Sequence, residues 1–244
     1  MAVTEAQVLD AEEVNSRLEC AQPQQIVRWA ADRFGRDLVM TSSFGEQAAV
    51  LIHIATRLVP EIRIIFIDTG YLFPETHRFM EQLRLRLNLN VWCYRTPHDP
   101  ISFLRHAGEE NPEWRKDVIG CCAANKNEPM QRAVSELCPM AWLRGIRRDQ
   151  SESRRNVKVL EWSDRYQCWA VSPLVNWTTR DVGLYMKKHN LPWHPLVEKG
   201  YLSIGCNPRS CTCPVAPGQD SRSGRWAGTG KLECGIHSLD SANL

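Results

Sequence analysis

Short apolar runs that alternate with stretches of helical periodicity leave this chain few folds to choose from. DLVMTS (37–42), IRIIFID (62–68), VWCYR (91–95), AWLRGI (141–146) and CWAVSPLV (168–175) have the length and the β-branched, aromatic content of strands. Between and after them, EQAAVLIHIATRL (46–58), PETHRFMEQLRLRL (74–87), NEPMQRAVSEL (127–137) and TRDVGLYMKKHN (179–190) place apolar residues at helical spacing. Pro74 stands at a first-turn position with Glu75 beside it, and Thr178 or Thr179 caps the last helix. The alternation predicts right-handed β-α-β units: an α/β fold, a mainly parallel sheet with helices on both faces. Such sheets bind ligands beyond the carboxyl ends of their strands.

Periodicity stops near residue 200, where Gly, Pro, Ser, Arg and Cys take over. A structureless stretch of roughly 40 residues is unusual inside a compact domain and points to a functional, lid-like segment. The expected organisation is one unit, 1–220 as the binding domain and 221–244 as a mobile C-terminal tail. A net charge of +2 with interspersed signs gives no reason to expect nucleic acid or an acidic membrane as partner. The first twenty residues carry acids throughout and no apolar run, unlike a signal or transit peptide, and no stretch approaches the roughly 18 apolar residues of a membrane helix. A cytoplasmic chain is expected; nothing in it decides against a homo-oligomer.

Ten cysteines are many for a reducing compartment, which disfavours a disulfide framework. Cys20, Cys93, Cys138 and Cys168 stand alone and read as small buried hydrophobes. The other six fall at Cys121–Cys122, at Cys206, Cys211 and Cys213, and at Cys234. Clusters at separated points suggest metal or redox chemistry. Cys121 and Cys122, on a helix start, with two partners from 206–213 make four thiolates, the set for a [4Fe–4S] cluster or for a structural zinc.

Thr41, Ser42, Ser43, Phe44 and Gly45 lie between a strand and a helix. Hydroxyls, a glycine and a helix N-terminus together suit an anion; the alternative is a capped turn with nothing bound. Asp68, Thr69 and Gly70 close the next strand, where Asp68 suits a ribose or adenine contact or serves the local turn. Arg144, Arg147 and Arg148 follow a strand end beside Gly145 and offer planar forks to oxyanions, although a solvated loop accounts for at least one of them. Cys234, glycine-flanked in a polar tail and near Arg222, Arg225, Lys231 and His237, is the candidate nucleophile, because neighbouring cations lower a thiol's pKa.

SSFGEQAAV, IDTGYLFPET, LRGIRRDQS and KLECGIH occur in this order and together resemble the phosphoadenylyl-sulfate and adenylyl-sulfate reductases. The resemblance runs from about residue 25 to 238 and implies the adenine nucleotide α-hydrolase fold, related to the ATP pyrophosphatases. It implies that the Cys234 thiolate attacks the sulfur of an adenosine phosphosulfate and keeps it as an S-sulfonate, from which thioredoxin or glutaredoxin releases sulfite. Lys126, Arg222, Arg225 and His237 would face the phosphosulfate, with Trp226 following Arg225 as an aromatic does in the family. Members with the cysteine pair and two downstream cysteines hold a [4Fe–4S] cluster and mostly use adenylyl sulfate; members without them use the 3′-phosphorylated form. By this resemblance the implied ligands are Cys121, Cys122, Cys206 and Cys211, with Cys213 spare; the chain departs from the family's C-x-P-C-T-x-P by an insertion, Arg209-Ser210, which leaves Cys213 in place of Cys211, or zinc or free thiols in place of the cluster, as the alternatives. A nucleotide-binding iron–sulfur or zinc module with a sensory role is the rival of another class. An ATP-pyrophosphatase-type ligase would want S-G-G-x-D-S where Ser42-Ser43-Phe44-Gly45-Glu46 stands.

Overall fold

The computed structural model of the chain describes residues 9–96, 118–207, 211–216, 218–227, 229, 231, 233 and 235–237. The inserted Arg209-Ser210 and the candidate nucleophile Cys234 lie outside the described residues.

Six strands form one sheet in the order β3-β2-β1-β4-β6-β5. They are β1 (Leu38–Thr41), β2 (Arg63–Asp68), β3 (Asn90–Arg95), β4 (Ala141–Leu143), β5 (Leu160–Ser163) and β6 (Cys168–Val171). All neighbours run parallel except β5, which lies antiparallel on β6. The helices are α1 (Ala11–Leu18), α2 (Pro23–Phe34), α3 (Ala48–Leu58), α4 (Pro74–Leu87), α5 (Val118–Cys122), α6 (Glu128–Leu137) and α7 (Thr179–Lys188), with a π-helical turn at Ala123–Asn127 joining α5 to α6. The chain winds outward from β1 through β2 to β3, then returns to place β4 on the other side of β1. The carboxyl ends of β1 and β4 therefore flank the point where strand order reverses, where such sheets leave a crevice. Central strands packed on both faces explain the nearly unbroken apolar run in β2, whose Ile64, Ile65 and Phe66 are all buried.

Local chemistry sets the ends. Thr178 is the cap of α7: its hydroxyl accepts from Asp181 N at 3.2 Å while Asp181 Oδ2 accepts from Thr178 N at 2.9 Å. Two runs expected as longer strands stop early. β4 ends at Leu143 and β6 at Val171, because the chain leaves the sheet there: Gly145–Arg147 turns to wall the crevice, and Pro173 stands just past the end of β6. Three elements had no expectation attached. α1 starts on Asp10, whose carboxylate accepts from Glu12 N and Glu13 N; α2 starts on Pro23; and β5 is a four-residue antiparallel edge strand. Of the four lone cysteines, only Cys168 is buried; Cys20, Cys93 and Cys138 are exposed. Cys20 follows the end of α1, Cys93 is on edge strand β3, and Cys138 is the left-handed cap of α6. Among the described residues, no helix is long and apolar enough to cross a membrane.

Candidate functional site

A cavity of about 210 Å³ opens at the carboxyl ends of β1 and β4. Its floor is Thr41, Ser42, Ser43 and Gly45 through Ala48 at the start of α3. Thr69 after β2, Gly145 to Arg147 after β4, residues 202–205, and Ser221, Arg222, Arg225 and Trp226 also line it. Glu233, Ile236 and His237 from the tail enter the same cavity.

Of the expected substrate contacts, Ser42, Ser43, Gly45, Thr69, Lys126, Gly145, Arg147, Arg222, Arg225 and His237 line this cavity; Phe44, Asp68, Gly70 and Arg144 do not. Phe44 is a plug. It is fully buried, edge-on to Phe66 at 5.2 Å, and held at φ 49 while its N–H donates to Ser42 Oγ. A left-handed non-glycine residue costs on the order of 1 kcal/mol, which burying a phenyl ring outweighs. Asp68 serves its own turn: Oδ1 accepts from Gly70 N at 3.0 Å, and Oδ2 pairs with Arg95. Its carboxylate and the Gly70 N–H are thereby satisfied without a ligand. Arg144 lies under the cavity, 1% exposed, donating to Ser172 Oγ and paired with Glu161. Arg148 does not line the cavity: half-buried and not solvated, it reaches away to Glu19, Asn176 Oδ1 and the Val157 carbonyl.

Arg144 nevertheless contributes through a stack. Its guanidinium lies over the Trp142 ring, and His237 stacks on Trp142 at 5.7 Å and 13°. His237 keeps some exposed surface, yet its Nδ1 is shielded and has no hydrogen-bond partner among the described residues. Burial first, then the cations Arg154, Arg144, Arg222 and Lys126, hold its pKa well below the ordinary 6.5. The docked ring is neutral, and an undocked ring takes a proton below that value. Docking of the tail is therefore strongest above pH 6.5 and weakens as pH falls below it, by at most about 1.4 kcal/mol per pH unit. Amide hydrogen exchange at residues 235–237 checks this: protection should fall between pH 6.5 and 5, and a flat profile there contradicts it.

Trp226 is the centre of the basic wall. It is 2% exposed, with Arg225 at 4.5 Å, Arg222 at 5.8 Å, and Lys126 and Lys231 at 5.9 Å from its ring centroid. An electron-rich face lets four cations gather that would otherwise repel one another, each desolvated contact contributing about 1–2 kcal/mol. Arg225 threads through this wall: its Nε donates to the Cys211 carbonyl, and its guanidinium lies against Gly205, where a Cβ would fall 2.3 Å from Nη2. Gly205 is the residue the close approach requires.

Behind Trp226 the four expected ligand cysteines gather. Cys121, Cys206 and Cys211 pack in one buried group with Tyr71, Val118 and Trp226, and Cys122 is buried beside Cys121. The Thr69 hydroxyl lies 3.4 Å from Cys206 Sγ, and Asn125 Nδ2 donates to Cys121 Sγ at 3.6 Å. A backbone bridge between Leu72 and Cys206 and a bond from Asn207 N to the Tyr71 carbonyl fasten the segment. Burial pushes Cys121 up to about 11, with Cys206 and Cys122 adding to it; burial pushes Cys211 up to about 12, with Cys206 adding to it. Mutually coupled buried thiols resist ionising one another, and only a cationic centre among them reverses that. Among the described residues, no three His, Cys, Asp or Glu side chains converge as a single-ion site. Four buried cysteines are the donor type that a [4Fe–4S] cluster takes, a match of residue type and not of converged geometry. Cys213 is half-buried and turns away, its thiol donating to the Gly224 carbonyl at 3.4 Å.

Glu46, Arg154 and Glu233 are among the cavity residues that carried no expectation. Glu46, which accepts from Ile204 N at 3.1 Å, ties the 202–206 segment to the start of α3; burial raises its pKa. Arg154 and Glu233 form an ion pair inside the cavity. Glu46 stands in SSFGEQAAV, Arg154 three residues past LRGIRRDQS and Glu233 in KLECGIH, but nothing in single residues marks them as partners.

Residues 37–213 match the phosphoadenosine phosphosulfate reductase domain. A phosphoadenosine 5'-phosphosulfate reductase of Photobacterium profundum is 40% identical over 96% of this chain and 91% of its own length. An adenosine 5'-phosphosulfate reductase of Shouchella clausii is 38% identical over 94% and 93%. The crystal structure of the phosphoadenylyl-sulfate reductase of Candida auris, a phosphate complex, superposes with a TM-score of 0.70 at 25% identity, covering 84% of this chain and 97% of that one. An FMN adenylyltransferase of Candida glabrata, 15% identical with a TM-score of 0.58, shares the fold alone. A nucleotide-type crevice at the strand-order reversal, a basic wall facing it and near-full-length identity at about this level agree: the chain belongs to the phosphoadenosine phosphosulfate reductase family of sulfonucleotide reductases.

Proposed function

We propose that the protein reduces adenylyl sulfate to sulfite and AMP, with Cys234 as nucleophile and thioredoxin or glutaredoxin as reductant. The observation that carries this reading is the place of Glu233, Ile236 and His237: residues on either side of Cys234 in sequence line the same cavity as Lys126, Arg222 and Arg225. The Cys234 thiolate attacks the sulfur of the phosphosulfate. An S–S bond forms, the bond from sulfur to the phosphate oxygen breaks, and AMP leaves with that electron pair. One thiolate of the reductant then attacks the cysteine sulfur of the S-sulfonate and expels sulfite; its second thiol resolves the mixed disulfide, so the dithiol supplies both electrons. Lys126, Arg222 and Arg225 hold the anionic substrate and offset its repulsion of a thiolate. His237, neutral when docked, is a hydrogen-bonding partner for a sulfonate oxygen rather than a countercharge.

Cys121, Cys122, Cys206 and Cys211 would hold a [4Fe–4S] cluster, which when bound would tie α5 to the 206–211 segment next to Lys126. The buried cysteine quartet also favours adenylyl sulfate over its 3′-phosphorylated form, by resemblance to the members that carry it. Relatives of both names at similar identity make substrate choice the point to test. Anaerobically purified protein with thioredoxin should release sulfite faster from adenylyl sulfate than from the 3′-phosphorylated nucleotide and should contain iron and acid-labile sulfide. A clear preference for the 3′-phosphorylated nucleotide overturns the substrate, and protein without iron overturns the cluster.

A further inference from the structure

We propose that Arg154 and Arg222 form a latch on Glu233, and that through this latch they position the segment carrying Cys234; the inference rests on Cys234 being the nucleophile. The Glu233 carboxylate is gripped at both oxygens. Arg154 Nε donates to Oε1 at 2.7 Å and Arg154 Nη2 to Oε2 at 2.8 Å, a two-pronged contact, and Arg222 Nη2 adds a third bond to Oε2 at 3.1 Å. Ser153 Oγ donates to Oε1 at 3.4 Å. Arg154 is 8% exposed, and Gln150 Oε1 accepts from its Nη1, so the fork arrives oriented.

Burial works against a charged carboxylate here, and the two guanidinia overcome it, leaving the Glu233 pKa below its ordinary value. The next described residue is fastened as well. Gly235 stands at φ 87 beside Asn127, where a Cβ would lie 2.9 Å from Nδ2, and its carbonyl accepts from Arg165 Nη1 at 3.2 Å. Both sequence neighbours of Cys234 are thus held, one by charge and one by backbone.

A charge latch suits a segment that works in two places. An ion pair exchanges its contacts for water and for the substrate's own anionic groups. Arg222 stands in both sets, lining the cavity and holding Glu233, so occupancy by substrate and docking of the tail act on one guanidinium. Arg154 and Glu233 are positioning residues: they act on the reaction through the placement of Cys234.

The test is single-turnover formation of the S-sulfonate on full-length protein with adenylyl sulfate and no reductant, read by intact mass after rapid quench. Glu233→Gln keeps the shape and removes the charge. It should slow S-sulfonate formation at saturating substrate by about tenfold or more, the worth of one charge-assisted contact, with KM changed much less. Glu233→Asp should recover part of the rate. Glu233→Ala and Arg154→Ala should each slow the step, and the double variant should be no slower than the worse single variant, because both remove the same latch. Wild-type speed in Glu233→Gln, or losses that add in the double variant, overturns the proposal. If Arg154→Ala lowers the thermal midpoint, Glu233→Gln decides alone. A Cys234→Ser protein that still releases sulfite would take down the nucleophile and the latch together. A dead Cys234→Ser beside a fast Glu233→Gln would take down the latch only.

Discussion

Cys234→Ser should leave no measurable sulfite release, a loss of at least about 10⁴-fold, because the variant lacks the group that the proposed mechanism uses to form the covalent intermediate. A serine hydroxyl at neutral pH presents almost no alkoxide, and its product with the substrate would be a sulfate ester that a thiol cannot open by exchange. Among the described residues, no cysteine lines the cavity. Cys121 and Cys211 are buried behind Trp226 with pKa values pushed up to about 11 and about 12, so their thiolate fraction in a cluster-free protein is negligible. Cys213 is turned to the Gly224 carbonyl. The basic wall does not depend on the 234 side chain, so AMP affinity measured by calorimetry should stay near wild type. Residual turnover above about one per cent of wild type would contradict covalent catalysis by this residue.

On the proposed cluster assignment, Cys211→Ser should lower both the iron content and the activity of anaerobically purified protein, whereas Cys213→Ser should change neither. The two residues are two positions apart, and their environments separate them. Cys211 is 3% exposed and packed with Cys121 and Cys206; Cys213 is half-buried and already bonded to backbone. A cluster held by these four cysteines would supply binding energy that is also folding energy for the segments that carry them, so removing one ligand would cost on the order of several kcal/mol. Those segments back Trp226 and Lys126, so the substrate wall should loosen with them. Iron analysis on anaerobically purified variants, with sulfite release alongside, reads both effects. Iron lost from Cys213→Ser and retained in Cys211→Ser would reverse the ligand assignment and would mean that the Arg209-Ser210 insertion shifts the ligand set.

The parallel sheet and the cavity floor were legible because both are written locally. β-branched runs mark β1, β2 and β3, and the residues just past β1, Ser42, Ser43 and Gly45, had to emerge at the carboxyl edge. What stayed hidden depends on partners far away in sequence. Arg144 read as an anion ligand because Glu161 and Ser172, which occupy its donors, are 17 and 28 residues on. Of the two readings of Asp68, the local turn is the one its Gly70 contact supports, while the pairing with Arg95 on β3 could not be read from neighbouring residues. Phe44 read as part of an anion loop, since a buried plug at positive φ cannot be distinguished by composition from a loop residue. β5 escaped because LEWS, a four-residue edge strand, is too short to show its period. Arg154 and Glu233 lie 79 residues apart, and only the fold shows that they meet.

Intact-mass analysis of the wild-type protein, mixed with adenylyl sulfate in the absence of any thiol, tests the central claim most directly. The account predicts a stoichiometric adduct of one SO₃ group, mapped by digestion to the peptide holding Cys234, formed together with one equivalent of AMP and discharged as sulfite on adding thioredoxin. An adduct on another cysteine, or sulfite released with no covalent adduct, would contradict it.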